Sequence, residues 1–418
     1  MSFQKPKGTQ DVLPGTVERW QFIEEHAREV CRRFLYREIR TPIFESTELF
    51  QRGVGETTDV VEKEMYTFID RGKRSVTLRP EGTAGVVRAF VENKLYAEPE
   101  LTKLFYIGPM FRYEQPQAGR YRQFHQFGIE AFGSHDPALD AEVVALGQQF
   151  YQALGLRGVS LEINSVGTPV SRASYRGALL AFLEPKRHLL CRDCLSRMER
   201  NPIRVLDCKV DQEHFHGAPA LLEHLDEESA AHFAKVQSYL DQMGIAYEIN
   251  PKLVRGLDYY THTAFEFKAA GIGTIDTIGG GGRYNGLVSE IGGPEHCGVG
   301  FGLGLERVLL VLENQGIELP VNMRPLVYFV TMGEEAEQSA MRLLYELRKA
   351  GVAAEKDYGG RKMKAQLKSA DRLQAKYAAI LGEDELKRNE IILKSLATGE
   401  QETISPQNLQ EHLIKYSR

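Results

Sequence analysis

No stretch of this chain approaches the roughly 20 consecutive apolar residues needed to cross a bilayer, so a helical membrane span is not expected. Cysteine is scarce. The five, Cys31, Cys191, Cys194, Cys208 and Cys297, are an odd number spread over 418 residues, which argues against a disulfide framework and for reduced thiols. A basic excess is missing as well: 52 Lys and Arg face 57 Asp and Glu, for a net charge of −5. Non-specific nucleic-acid binders usually carry the opposite balance, so a DNA partner is not expected and any RNA contact has to come from local patches. The N-terminal MSFQKPKGTQDVLPG has neither an apolar segment nor a small-residue cleavage site, so it reads as no signal peptide and points to the cytoplasm. Internal repeats and low-complexity tracts are absent.

What is present fits a folded protein of one to three domains, with 42% apolar residues. Residues 17 to 38 read as a helix, because Trp20, Ile23, Ala27, Val30, Phe34 and Leu35 recur at spacings of three and four. A strand is expected around Ile39–Phe44, with Pro42 marking an edge or boundary. Residues 75–79 read as a strand running into Pro80, where a helix can start with Glu81 and Thr83 in its first turn. Residues 104–113 and 122–132 pair as a long hairpin across the loop Glu114–Tyr121. Between about 170 and 245, short charged helical pieces read as an inserted module. Strand signals return over 253–310, with glycine concentrated at Gly279–Gly282 and Gly298–Gly304 and a helix from about Gly304 to Asn314. The Gly279–Gly282 run, followed by Arg283 and Tyr284, lacks the Lys-Ser/Thr of a phosphate loop and reads as a close strand approach.

The segment Gln315–Pro325 reads as a linker. It divides the chain into residues 1–325 and 326–418. In the second part LVYFVTM, a helix over 334–350 bearing Ala340, Leu343, Leu344 and Leu347, then KYAAIL and EIILKS, alternate as a small α/β domain does.

The most informative stretch is IGPMFRYEQPQAGRYRQFHQFGIEAFG. Alternation along a strand puts Met110, Arg112 and Glu114 on one face, and Phe124, Gln126, Gly128 and Glu130 on one face of the return strand. Gly128 leaves space in that row for a ligand or another backbone. Arg112 and Arg120 offer planar forks to phosphate oxygens, Phe124 a flat face to a purine, and Glu130 an acceptor to a ligand N–H. Taken alone, the row is equally an ordinary polar sheet face.

FRYE followed by GRYRQFHQ resembles the second signature motif of class II aminoacyl-tRNA synthetases. REIRTPIFE is similar to their first motif, which builds the family's dimer interface, and GVGFGLGLERV to the third. TLRPEGTAG and LVRGLDYYTHTAFEF resemble segments that mark the histidyl-tRNA synthetases, and the resemblance runs over nearly the whole chain. It implies an α/β fold with an α+β catalytic core: an antiparallel sheet flanked by helices, a helical insertion and a C-terminal α/β anticodon-binding domain. The implied function is ATP-dependent activation of L-histidine as its adenylate, with Mg²⁺, and transfer to tRNA(His) by a homodimer.

Carried over residue by residue, the resemblance assigns Glu81, Thr83 and Gln126 to the α-ammonium of histidine, with Gly82 and Tyr259 beside them. Glu130 and Tyr260 would bracket the imidazole, whose two nitrogens donate and accept. Arg112 and Arg255 would flank the α-phosphate and the histidine carboxylate, with Arg307 at a helix N-terminus near the γ-phosphate and adenine. Phe124 would stack on adenine, and Glu114 and Arg120 complete the ATP set; Arg112, Arg255 and Arg307 form the catalytic group.

In the last domain Arg361, Lys362, Lys364 and Lys368 form a local basic run, open to reading as a phosphate-facing patch or a solvated helix face. Cys191-x2-Cys194 with Cys208 and His214 or His216 superficially suits zinc, but the third and fourth positions are irregular. Reduced packing thiols are the expectation, with no metal. Two rivals to the main reading are a catalytically inactive, histidine-binding regulatory paralogue of a histidine-biosynthesis enzyme and a synthetase for another amino acid. Arg112, Arg255, Arg307 and the full α/β tail argue against the first. Glu130 with Tyr260 argues against the second.

Overall fold

Side chains along the strand Gln123–Phe132 alternate between two surfaces, and that alternation organises the larger part of the molecule. Phe127, Ile129 and Ala131 enter one apolar core, while Phe124 and Phe132 pack in another. The computed structural model describes residues 3–55, 58–208, 210–270, 276–320 and 324–415. It divides into two compact units, Met1–Leu319 and Pro320–Arg418. Residues 321–323 of the expected linker lie outside the described residues.

The described strands of the first unit are β1 Arg37–Glu38, β2 Phe44–Ser46, β3 Tyr66–Ile69, β4 Ser75–Leu78, β5 Thr102–Phe111, β6 Gln123–Phe132, β7 Val159–Ser165, β8 Glu248–Ile249, β9 Thr261–Ala269, β10 Thr277–Arg283 and β11 Gly298–Gly304. Eight of them form one sheet in the order β1-β5-β6-β11-β10-β9-β7-β8. Its pairings are antiparallel except at the edges, where the two-residue strands β1 and β8 join in parallel. β2, β4 and β3 make a small separate sheet.

One face of the large sheet is covered by the helices Val17–Arg33 and Pro137–Ala153, which send Trp20, Ile23, Val30, Val144 and Phe150 into the core with Phe127 and Phe301. The other face meets the helix Thr83–Glu92 through Val86, Val87 and Phe90, and the inserted module through Tyr175, Leu179 and Leu183. Each such side chain, wholly removed from water, stabilises the unit by about 1.5–3 kcal/mol before entropy is counted. Residues 169–242 form the helices Pro169–Leu183, Arg192–Arg200 and Glu227–Gln242 joined by short 3₁₀ pieces, and the last helix packs Phe233, Val236 and Leu240 into the first core.

Three local expectations are corrected. The first helix stops at Arg33, not residue 38: Leu35 takes φ 63°, its N–H bonds Arg32 O, and Tyr36 N–H bonds Cys31 O at 2.9 Å. This is a Schellman-type ending, and it turns Leu35 out to solvent, away from the apolar stripe. The strand expected around 39–44 is displaced to either side, into β1 Arg37–Glu38 and β2 Phe44–Ser46, and residues 39–43 join no ladder. Pro42 supplies no N–H, and the buried Arg79 guanidinium takes the carbonyls of Thr41 (3.1 Å) and Pro42 (3.4 Å) instead. The helix expected from Pro80 starts at Thr83, because the Glu81 carboxylate accepts the N–H groups of Thr83 (2.7 Å) and Ala84 (2.8 Å). Glu81 therefore lies ahead of the first turn and satisfies two of its orphan donors.

The second unit carries β12 Val327–Thr331, β13 Ala354–Lys356, β14 Tyr377–Leu381, β15 Ile391–Ser395 and β16 Gln401–Ile404, ordered β13-β12-β14-β15-β16. The first three are parallel and the rest antiparallel. Ala340, Leu343, Leu344 and Leu347 of the helix Glu334–Lys349 fill its core. Among the described residues no helix is long and apolar enough to cross a membrane.

Candidate active site

β11 reads GVGFGLG, and its large residues Val299, Phe301 and Leu303 all enter the same core as Phe127. Its glycines therefore share the opposite face, and they leave a floor almost free of side chains beside β6. At Gly300 a methyl group would meet Glu130 Oε2 at 2.2 Å, and at Gly280 on β10 it would meet the Arg255 guanidinium at 2.6 Å. The missing side chains are the space that the functional groups occupy.

Over this floor opens a cleft. It is lined by four arginines, Arg112, Arg120, Arg255 and Arg307, with Glu114, Glu306, Phe124 and Gln126. Arg112 and Glu114 do not share a strand face with Met110. β5 ends at Phe111, Met110 is fully buried, and both charged residues sit in the connecting loop. Arg112 is held by its Nε donating to Pro80 O (2.8 Å), and its guanidinium lies 5.4 Å from the Phe124 ring centroid. Glu114 pairs with Arg120 and stands 3.8 Å from Arg112.

Arg307 sits in the first turn of the helix Leu305–Asn314 and donates to Thr277 O at 2.6 Å. Burial pulls its pKa down, and repulsion from Arg120 adds to the effect. Such a cation gains when an anion arrives. Arg255 lies against Glu266 and 5.8 Å from the Tyr260 ring. Burial works against its charge, but Glu266 and Tyr260 outweigh that cost and raise its pKa. Glu306 is buried and accepts the backbone N–H of His125 (2.9 Å), which ties the helix to β6.

Behind Gln126 the lining changes character. Glu81, Thr83, Glu130, Tyr259 and Tyr260 form a buried cluster with Tyr106 and Tyr284. Thr83 Oγ1 donates to Glu130 Oε1 (2.7 Å), and Tyr284 O–H donates to Glu130 Oε2. Burial nevertheless dominates and pushes the Glu130 carboxyl up to about 8, with Glu81 adding to the rise. Burial raises Glu81 too. It lifts the phenols of Tyr106, Tyr259 and Tyr284 well above their ordinary range, so all three remain neutral donors.

The structure thus brings every expected site residue to one cleft and the cluster at its back. One expectation about local space is corrected. Gly128 does not stand open, because the Tyr106 ring fills its place: a methyl at Gly128 or at Gly82 would fall 2.3 or 2.2 Å from that ring. The hydroxyl partners of Glu130 are Thr83 and Tyr284, while Tyr260 packs on Tyr259 with centroids 4.6 Å apart. Tyr106, Tyr284, Glu266 and Glu306 were not anticipated. Tyr106 meets Gly128 only in the observed register of the hairpin, one residue from the register that the expected strand bounds imply. Arg283, next to Tyr284, is structural: fully buried, it pairs with Asp140 and donates to Ser134 O (2.7 Å).

An antiparallel sheet that carries a cleft ringed by arginines, with the motif-bearing hairpin at its centre, is the architecture of a class II aminoacyl-tRNA synthetase. The family model described as Histidyl-tRNA synthetase matches residues 8–308, and the one described as Anticodon binding domain matches residues 326–416. This chain belongs to the histidyl-tRNA synthetase family. It is similar to the histidine–tRNA ligase of Bacillus cytotoxicus, 58% identical over 410 residues and 97% of each chain. It is equally similar, at 58% over 418 residues and 99% of each chain, to that of Anoxybacillus flavithermus. Among solved structures, apo Staphylococcus aureus histidyl-tRNA synthetase matches with a TM-score of 0.85 and 47% identity, covering 99% of this chain and 100% of that one.

Proposed function

We propose that this chain ligates histidine to its tRNA, with adenylate chemistry at the arginine end of the cleft and amino-acid selection at the buried end. What carries the reading is the joining, over one glycine floor, of four guanidinium groups to a closed acid–phenol cluster. The histidine carboxylate has an unperturbed pKa near 3.5, so at neutral pH it is already the nucleophile and needs no general base. The barrier is repulsion between that anion and the triphosphate, and charge growth at the α-phosphorus. Fixed cations address both.

Arg112 and Arg255 hold the α-phosphate and the amino-acid carboxylate, Arg307 and Arg120 take the outer phosphates, and Phe124 stacks on adenine. Glu114 and Glu306 border the cleft with hard oxygen donors of the kind Mg²⁺ takes, so they would hold a phosphate-bound ion. When bound, that ion supplies further neutralisation of the phosphate oxygens. Gln126, Glu81 and Thr83 orient the α-ammonium.

Glu130 and Tyr260 read the imidazole. With its carboxyl pushed up to about 8, Glu130 can carry a proton at neutral pH and both donate and accept. Sites that must hydrogen-bond their substrate reject analogues by roughly 10⁴-fold or more, so no separate editing step is required. Tyr284 and Tyr106 hold Glu130 and the pocket wall in place.

Homodimerisation and a cytoplasmic setting complete the proposal. Support for a second copy comes from the small β2–β4–β3 sheet, along which Phe44, Phe68 and Ile69 are exposed. In the second unit Lys362, Lys364 and Lys368 are exposed and suit tRNA phosphates, while Arg361 is tied to Asp357. The decisive experiment is ATP–pyrophosphate exchange across the twenty amino acids, followed by aminoacylation of purified tRNA. Exchange is expected with histidine alone. Histidine binding without exchange would overturn the reading in favour of a regulatory paralogue.

A further inference from the structure

Three of the five cysteines converge inside the inserted module, away from the cleft. Cys191 caps the helix Arg192–Arg200, and the Cys194 N–H points at Cys191 Sγ from 3.5 Å. The chain then passes through the 3₁₀ turns Pro202–Asp207 and returns Cys208, whose sulfur lies 3.8 Å from Cys191 Sγ. Asp211 follows, with its Oδ2 accepting the Cys191 N–H at 2.9 Å. One ligand atom from each of the four residues lies within 4.8 Å of all the others. Cys194, Cys208 and Asp211 are buried.

The Cys191 and Cys208 sulfurs stand at the reach of a thiol hydrogen bond or of a shared metal, and too far apart for a disulfide. A disulfide holds its sulfurs about 2.05 Å apart, and all five cysteines are free. A buried carboxylate costs free energy unless compensated, and besides the Cys191 N–H the groups gathered around Asp211 are thiols. A tetrahedral centre with metal–sulfur bonds of about 2.3 Å has sulfur–sulfur edges of about 3.8 Å, which is the Cys191–Cys208 spacing. An N–H aimed at a ligating sulfur is the kind of outer contact that fixes thiolate orientation at such centres.

We propose that Cys191, Cys194, Cys208 and Asp211 bind a zinc ion that acts as a structural clip. Three soft sulfurs and one oxygen in a small tetrahedron favour zinc over magnesium or calcium. Four protein ligands leave no open position for catalysis. Binding releases the thiol protons and joins the Cys191 turn to the Cys208–Asp211 turn, in a stretch built of short 3₁₀ segments. The fourth ligand is Asp211, not His214 or His216. The same stretch touches the active-site side of the fold through Asn201, whose Nδ2 donates to Asp258 Oδ1 (3.1 Å), and through Arg197, which pairs with Asp59 (3.0 Å). A clip here would steady the segment that carries Tyr259 and Tyr260.

The test is metal analysis of the full-length protein, purified reduced and without a histidine tag. It is expected to hold about one zinc ion per chain. Stripped protein titrated with Co²⁺ is expected to show thiolate-to-cobalt charge transfer and tetrahedral d–d bands. Asp211→Asn should weaken uptake by about 10-fold or more, and Cys194→Ser should abolish those bands. Should Cys194→Ser fail to fold, the cobalt spectrum of the unsubstituted chain still decides. A reduced protein that neither contains zinc nor takes up Co²⁺ would overturn the site, as would zinc content unchanged in Cys194→Ser or a Cys191–Cys208 disulfide in its place.

Discussion

At the open end of the cleft carboxylates lie against guanidinium groups, Glu114 against Arg120 and Glu266 against Arg255. At the deep end Glu81 is met by backbone N–H groups and Glu130 by hydroxyls, and burial raises the pKa of both. The residue type is the same and the job is different. Paired carboxylates at the mouth keep several cations close together until phosphates displace them. At the back, where no cation faces it, the Glu130 carboxyl can take up a proton and measure shape and hydrogen bonding. A strongly charged ligand part and a nearly neutral ring can thus be held by one small protein surface.

The largest expected effect breaks the open end. Arg255→Ala should slow histidyl-adenylate formation by about 10²–10³-fold, the cost of removing a fixed charge aimed at the transition state. ATP–pyrophosphate exchange reads this, with a thermal melt as a control for folding. Near-normal exchange would show that Arg255 serves only Glu266.

Next comes the deep end, through Glu130→Gln. Histidine affinity should fall by about 10-fold or more, a charge-assisted hydrogen bond being worth roughly 1.5–3 kcal/mol, while ATP affinity stays the same. The pH profile sharpens the contrast. If the complex holds one proton between Glu130 and the imidazole, affinity is flat between the free imidazole pKa near 6.5 and the Glu130 value of about 8. Above about 8 both free partners have lost their protons, so binding must take one up and affinity falls as pH rises. Below 6.5 both are protonated, and affinity falls as pH drops. Calorimetry across pH 5.5–9.5 should show both limbs in the unsubstituted protein, and Glu130→Gln should lose the upper one. An upper limb that persists in that variant assigns the titration to another group.

The smallest effect is at Phe124→Ala. Loss of a stacking face costs about 1–3 kcal/mol per base, which is roughly 5- to 150-fold in ATP affinity. Histidine affinity measured without ATP should not move. A loss of histidine binding of equal size would mean that the two ends are not separable.

Much of this was legible from local pattern. The apolar stripe of the first helix, the alternation in β6 and the α/β rhythm after Leu326 each depend on a few neighbouring residues. The arginines stood in motifs, and the structure gathers them in one cleft. What was not legible depends on long-range register. Strands expected at 104–113 and 122–132 would pair Tyr113 with Arg122, but the observed ladder pairs Phe111 with Gln123 and Tyr106 with Gly128. A one-residue change of partner decides which ring fills the glycine's space. Tyr284 reaches Glu130 only because β11 lies between β6 and β10, an order that no local signal specifies. The ending of the first helix was hidden for a different reason, since Leu35 adopts a conformation that favours glycine or asparagine.

Phe124 and Glu130 are six residues apart on one face of β6. At about 3.3 Å per residue the strand works as a ruler some 20 Å long. Its graduation is covalent, so no exchange of side chains can lengthen or shorten it, and a single inserted residue would turn one end of the scale into the opposite core. Any adjustment to ligands of other dimensions has to fall on parts that the sheet does not lock, chiefly the loop 112–122 and the segment 253–260.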